Sequence, residues 1–314
     1  MTTMTHSSPA TRVSDEARQE GRSRARRRDA LTASAFLAPG MIAFLLFVIV
    51  PTLGSLALSF FRWDLFDTPV FIGVDNFTRL LGDQEVWSSL FVSLMFVVLG
   101  VIPVTMIGFL LAVTVNSRMP GVGILRVFYL APILASSAVS ALIWVNIYQP
   151  RSGLLNEVLA LIGIHGPNWL SDIVWARPAL VVMMIWGGLP LVILLYMSGL
   201  QRIPTDIYDA ASIDGAGKWR QLWSMTWPSV RSSTAVILVL QIVGFLSGSF
   251  EIALILTQGG PLGQTTSLAL YAYQQAFQHN DQGYASALSL FQLLLLVVIF
   301  VVVQLIRRIA RSRR

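Results

Sequence analysis

Residues 201–233 read QRIPTDIYDAASIDGAGKWRQLWSMTWPSVRSS and stand between two long apolar runs, Ala179–Leu200 and Thr234–Leu256. Pro204 followed by Thr205 and Asp206 is a helix-start signal, and Asp206 and Asp209 are placed to meet the free N–H groups of a first turn. Ile207, Ala210, Ala211 and Ile213 then predict a short helix with a small, flat face. Gly215 and Gly217 break it, Lys218–Thr226 predicts a second helix bearing Trp219, Leu222 and Trp223, and Pro228 leads into the next apolar run. Small residues let another surface approach closely, so this helix–turn–helix reads as a partner-docking element. A lipid-lying amphipathic helix is the competing reading.

Working outward, a bilayer core about 30 Å thick needs roughly 20 apolar residues of helix. Six segments qualify: Ala35–Ser59, Leu90–Val115, Phe128–Ile147, Ala179–Leu200, Thr234–Leu256 and Ala285–Ile306. The first is a poor signal peptide, because a long polar stretch precedes it and its apolar run is too long. Pro39, Pro51 and Pro103 fall inside spans, where neighbouring helices or Ser and Thr side chains re-satisfy the freed backbone. The predicted fold is therefore all-α, a polytopic membrane protein of six transmembrane helices. Residues 1–33 form a basic arm with the composition of a disordered segment, 34–306 the membrane domain with its loop 201–233, and 307–314 a basic tail.

Composition agrees. Of 314 residues, 55% are hydrophobic and only 12% charged, about half the usual quota of charge. The net charge of +6 could suggest nucleic acid, but the positions of the charges decide otherwise. Eighteen of the 22 basic residues fall in the N-terminal arm, the 2–3 and 4–5 connections and the tail, whereas Arg62, Arg79, Arg151 and Arg177 fall opposite. This asymmetry places both termini in the cytoplasm. The terminal Arg clusters are suited to anionic headgroups, and no nucleic-acid partner is expected. Neither external stretch, 60–89 or 257–284, is large enough for a separate domain, and the sequon Asn76-Phe77-Thr78 is too short a pattern to carry weight.

No engine is evident in the chain itself. Gly215-Ala216-Gly217-Lys218 is not a phosphate loop, because Trp219 follows the lysine and Ser212 stands where the first glycine belongs. The three His have no metal-ligand spacing, there is no Cys, and no Ser/His/Asp set lies at one membrane depth. The spans lack the paired carboxylates or Lys/Asp relay of a proton-driven carrier. Neither catalytic residues nor a metal site is assigned. A solute path needs polar or aromatic groups inside the bundle, and the candidates are Trp144 and Asn146 in the third span with Gln241, Ser247, Ser249 and Glu251 in the fifth. Ser and Gln also serve as interhelical glue, and Glu251 sits near enough to the outer end to snorkel. Gly244-x-x-x-Gly248 has the spacing for close helix packing, and Gly187-Gly188 with Pro190 is placed to loosen or kink the fourth span.

Tyr208-Asp209-Ala210-Ala211-x-x-Asp214-Gly215-Ala216, ending in Met225-x-Trp227-Pro228, resembles the "EAA" signature of permease subunits in binding-protein-dependent ABC importers. Phe36-Leu37-Ala38-Pro39, Ser59-Phe60-x-x-Trp63, Phe71-x-Gly73-x-x-Asn76-Phe77 and Gly153-Leu154-Leu155-Asn156 resemble the carbohydrate-uptake branch, which includes maltose and glycerol-phosphate permeases. So do Leu200-Gln201-x-Ile203-Pro204, Thr257-x-Gly259-Gly260-Pro261 and Gly283-Tyr284-Ala285-Ser286-Ala287. Together these cover roughly residues 36–306. One departure is Asp209, where the family has Glu.

The resemblance implies the type I ABC importer permease fold and a role for Tyr208, Asp209, Ala210, Ala211, Asp214, Gly215 and Pro228 in coupling to a separate ATP-hydrolysing subunit. It implies pairing with a second permease in a heterodimer, two ATP-binding subunits that hold ATP and Mg, and an external solute-binding protein. This chain would bind no cofactor and perform no chemistry. The solute would be a sugar, an oligosaccharide or a glycerol-phosphate type. The rival reading is a self-sufficient secondary carrier or channel, and a membrane enzyme is a third, disfavoured by the missing catalytic set.

Overall fold

The computed structural model describes residues 32–116, 129 and 132–312, the stretch 306–312 as backbone only. Most of the basic arm, the connection holding Arg118 and Arg126, the start of the expected third span at Phe128, and Arg313 and Arg314 lie outside the described residues. The chain divides into two compact units at Ala57/Leu58.

The first unit is formed by helix α1 (Thr32–Leu58) up to Ala57. It is regular except for a π turn at Leu45–Ile49, closed by the Val50 N–H to the Leu45 carbonyl. The cause is Pro51, whose ring would collide with the carbonyl four residues back, at Phe47.

The second unit begins with two short antiparallel strands, β1 (Phe61–Arg62) and β2 (Val70–Phe71), paired Phe61 to Phe71 and Arg62 to Val70. Helix α2 (Asp75–Gly82) follows, then the long α3 (Gln84–Asn116), which is apolar all round and carries Pro103 without breaking. The third expected span is described as α4 (Ser137–Ile147), shorter than a bilayer crossing, with Ser136 capping its start by accepting the Val139 N–H. A turn of helix at 132–134 precedes it. Helix α5 (Leu154–Leu161) is external, and α6 (Ala176–Leu200) runs unbroken through Gly187, Gly188 and Pro190. After the helices of the 201–233 connection come α9 (Arg231–Leu256), the short α10 (Leu268–Phe277) and α11 (Gln282–Ser312). Among the described residues, five helices are thus long and apolar enough to cross a membrane, with α4 as a shorter apolar companion.

The core is where α3, α6 and α9 pack, around Phe96, Phe109, Ile193, Tyr196 and Phe245. Their approach depends on absent side chains, as membrane helices, lacking a hydrophobic drive against lipid, generally require. At Gly100 an added Cβ would lie 1.8 Å from the Phe245 ring, so α3 and α9 could not meet with any other residue there.

At the outer end, motif residues act as staples. Asn76 is buried and donates from Nδ2 to the carbonyls of Ser59 and Phe61, each at 2.9 Å, which leaves its amide committed and not an acceptor for sugar. Asn156 donates to the Pro150 carbonyl at 2.9 Å and accepts from Trp169 Nε1 at 2.6 Å, tying α5 to the following loop. Asp83 accepts from the hydroxyls of Tyr271 at 2.7 Å and Tyr284 at 2.6 Å, joining the start of α3 to α10 and α11. Burial alone would raise the Asp83 pKa, but the Tyr284 and Tyr271 hydroxyls, with the Glu85 N–H and the Arg79 charge, together outweigh it and hold the carboxyl below its ordinary range. With the folded value depressed, the contribution is complete at neutral pH and is lost as pH falls below about 4. Asp83→Asn should therefore lower the thermal midpoint at pH 7 and flatten its acid-side decline, which scanning calorimetry in detergent would read.

Candidate functional site

The connection 201–233 folds as its residue types dictate. Helix α7 (Asp206–Ile213) has Asp206 and Asp209 in its first turn. It closes with the Ala216 N–H on the Ala211 carbonyl at 2.9 Å and the Gly215 N–H on the Ser212 carbonyl at 3.1 Å, a Schellman closure that needs a left-handed residue between them. Gly215 supplies it, at φ +76°. Helix α8 (Lys218–Gln221) continues through a π turn, Leu222–Thr226, and Trp227–Ser229. As at Pro51, the π turn holds the residue four before a proline, here Ser224 before Pro228. The expected second helix at Lys218–Thr226 is present, with this widened turn inside it.

Hydrogen bonds make the two helices one body. The Tyr208 and Thr226 hydroxyls are 3.0 Å apart, and Gln221 Nε2 donates to Ser212 Oγ at 3.0 Å and to the Ala216 carbonyl at 2.9 Å. Ala211 is buried in this joint. Asp209, Ala210, Asp214 and Gly215 face outward, beside Ile213 at 88% exposure and Trp219 at 73%. Large apolar groups so exposed beside small residues and acids suit a protein surface better than water.

The body is also joined to the spans. Trp219, Trp223 and Trp227 form a ladder with ring centroids 5.7 and 6.0 Å apart. Trp227 meets Phe109 of α3 edge-on at 4.8 Å, Phe109 meets Tyr196 of α6 at 5.4 Å, and the Tyr196 hydroxyl donates to Thr234 Oγ1 of α9 at 3.1 Å. A push on the exposed end of α8 therefore reaches all three core spans through close-packed rings, which transmit displacement because interiors are dense. Among the described residues Trp223 Nε1 is buried without a hydrogen-bond partner. Trp223→Phe keeps a ring and removes that donor at the cost of part of the indole's packing, so unfolding assays should show it less destabilised than Trp223→Ala, by about 1–3 kcal/mol.

Between α4, α6 and α9, near the middle of the last two, lies a cavity of about 310 Å³. Of the sequence candidates, Gln241 and Glu251 line it. Trp144 stands one layer back, edge-on to the lining Trp186 at 5.8 Å. Asn146 bonds back to the Leu142 carbonyl of its own helix at 2.9 Å, Ser249 is buried and bonds the Leu246 carbonyl at 3.0 Å, and Ser247 is exposed away from the cavity. Ser137, Ser140, Met183, Trp186 and the glycines were not singled out from the sequence as solute contacts. Gly244 and Gly248, which the spacing suggested were packing residues, have no heavy atom within 4 Å of an added Cβ; with Gly187 they create the cavity's room. Gly188 does pack: its Cβ would meet Gln241 Oε1 at 2.8 Å, so it presses the Gln241 amide against α6.

Comparison with known proteins agrees with this architecture. Residues 80–313 match the family model described as binding-protein-dependent transport system inner membrane component. The chain is 35% identical over 289 residues to the trehalose/maltose transport system permease protein MalF of Thermococcus litoralis, covering 91% of this chain and 96% of that one. It is 31% identical over 263 residues to the sulfoquinovosyl glycerol transport system permease protein SmoG of Agrobacterium fabrum, covering 83% and 85%. Its fold matches a chain of the crystal structure of a bacterial ABC transporter involved in the import of the acidic polysaccharide alginate. The TM-score is 0.77 at 25% identity, covering 90% of this chain and 96% of that chain.

Proposed function

The chain belongs to the family of binding-protein-dependent transport system inner membrane components, and on that premise we propose that it forms one half of the translocation path of an ATP-driven importer for a sugar, an oligosaccharide or a glycerol-phosphate-type solute. The observation that carries this reading is the cytoplasmic body built by α7 and α8, with its exposed α7 face and its aromatic ladder into three spans. Such a body has no use in a carrier that works alone, and it is what a chain without its own engine needs in order to be moved. ATP and Mg would sit on two partner subunits, and the α7 face, with Asp209, Ala210, Asp214 and Gly215, would dock there, while Ala211, expected from the sequence to share that face, is buried in the joint and would hold the two helices together. A second, similar permease would supply the other wall of the cavity, and an external binding protein would deliver solute at the outer end. Both termini would be cytoplasmic. Movement of the α7–α8 body would then tilt α3, α6 and α9 together and expose the cavity alternately to either side.

Relatives named for trehalose/maltose and for an acidic polysaccharide leave the charge of the solute open. The reading is tested by reconstituting the chain with whatever second permease, ATPase and binding protein its neighbouring genes encode, and following uptake of the solute that mass spectrometry finds on that binding protein. Uptake should require ATP and every subunit. Uptake by the isolated chain without ATP would establish the secondary-carrier alternative instead.

A further inference from the structure

We propose that Glu251 makes this half of the path selective for uncharged, polyhydroxylated solutes and closes it to anionic ones. The inference rests on the cavity being part of the solute route, as read above.

Among the described residues, Glu251 is the single ionisable side chain lining the cavity, with no described Lys, Arg or His beside it. The one ion pair among the described residues is Arg79–Asp281, at the outer end, so no described cation neutralises Glu251. A solute bearing a phosphate, sulfonate or carboxylate would lose water on entering, find no cation in this wall, and meet a carboxylate. At the few-ångström separations that such a cavity allows, like charges repel, and nothing described in this wall offsets that repulsion.

A neutral sugar meets the opposite conditions. The Glu251 carboxylate accepts hydroxyl hydrogens, the Gln241 amide both donates and accepts, and Ser137 and Ser140 add hydroxyls. Trp186, braced edge-on by Trp144, presents a ring beside them. A few placed polar groups on an otherwise apolar wall is the usual composition of a small-molecule site.

The chain has no Cys, so a single engineered thiol can report the cavity's electrostatics. Gly244→Cys has space for it, since nothing lies within 4 Å of an added Cβ. In the assembled importer held in nanodiscs, this variant is treated with methanethiosulfonate reagents carrying trimethylammonium, sulfonate or uncharged hydroxyethyl groups. Adducts on this chain are read by mass. Relative to their rates with free 2-mercaptoethanol, the cationic reagent should outpace the anionic one by about tenfold, and adding Glu251→Gln should bring the ratio within about twofold of unity. A preference for the anionic reagent, or a ratio unmoved by Glu251→Gln, overturns the proposal. If the uncharged reagent fails to react in every nucleotide state, the cavity is not open to water and the underlying solute-route reading fails instead. Should Gly244→Cys not assemble, Gly248→Cys, equally open, is read in the same way.

Discussion

Gly215→Ile abolishes ATP-driven uptake while leaving the chain inserted and folded. The expectation follows from two independent facts about the position. Gly215 sits at φ +76°, where an L-residue pays about 1–2 kcal/mol and a β-branched one fits worst. Yet an added Cβ there meets nothing within 4 Å, so the chain itself has room for the side chain. The strain is too small to unfold a bundle anchored by three core helices, and the added bulk projects beside the exposed α7 face. What it disturbs must therefore lie outside this chain. Gly215→Asn separates strain from bulk, because Asn tolerates the left-handed region. Recovery of uptake in Asn but not Ile indicates that the turn's conformation matters most, whereas loss in both indicates that the space beyond Gly215 is occupied by a partner. Uptake and ATP hydrolysis in proteoliposomes, with thermal unfolding as the folding control, measure it. Wild-type rates in Gly215→Ile would remove the docking role from this turn.

The α7–α8 body was readable because its signals are local. A proline, two early acids and a glycine at the end specify α7 without reference to anything distant. Span existence was readable for a similar reason, since length and apolarity suffice. The cavity was not, and the helices show why. Helix α9 is apolar on every side, so no periodicity says which stripe faces a void. Polarity misleads there: Ser249 satisfies itself on its own backbone, Ser247 points away, and Asn146 bonds one turn back within α4. Glycine spacing misleads equally, because Gly244 and Gly248 have the interval of a packing motif but face open space, while Gly100, with no such partner in sequence, is the one pressed against Phe245. The ladder from Trp219 to Phe109 joins residues more than a hundred positions apart and has no one-dimensional signature. Asn76, Asn156 and Gly283 belong to motifs that carried the family resemblance. Their work proves to be fastening: Gly283 admits the Phe61 carbonyl 1.9 Å from where a Cβ would stand.

Those contrasting glycines yield the other large effect. Gly244→Trp should abolish uptake without dismantling the protein, because its side chain grows into a cavity of about 310 Å³ that the other lining residues leave empty. Gly100→Leu should do the reverse. Its first added carbon already overlaps the Phe245 ring, so α3 and α9 must separate; overpacking of this kind costs about 1–3 kcal/mol and more where backbone must move. The two variants therefore sort the readouts. With Gly244→Trp, the four-subunit complex should still purify and hydrolyse ATP, with a thermal midpoint near the wild type and solute flux at background. With Gly100→Leu, yield and midpoint should fall first, and flux only in proportion to the folded protein remaining. Gly188→Leu tests the boundary between these outcomes, since it both crowds Gln241 and borders the cavity. Full uptake in Gly244→Trp would show that solute does not pass between α4, α6 and α9, and the route would have to be sought on another face of the bundle.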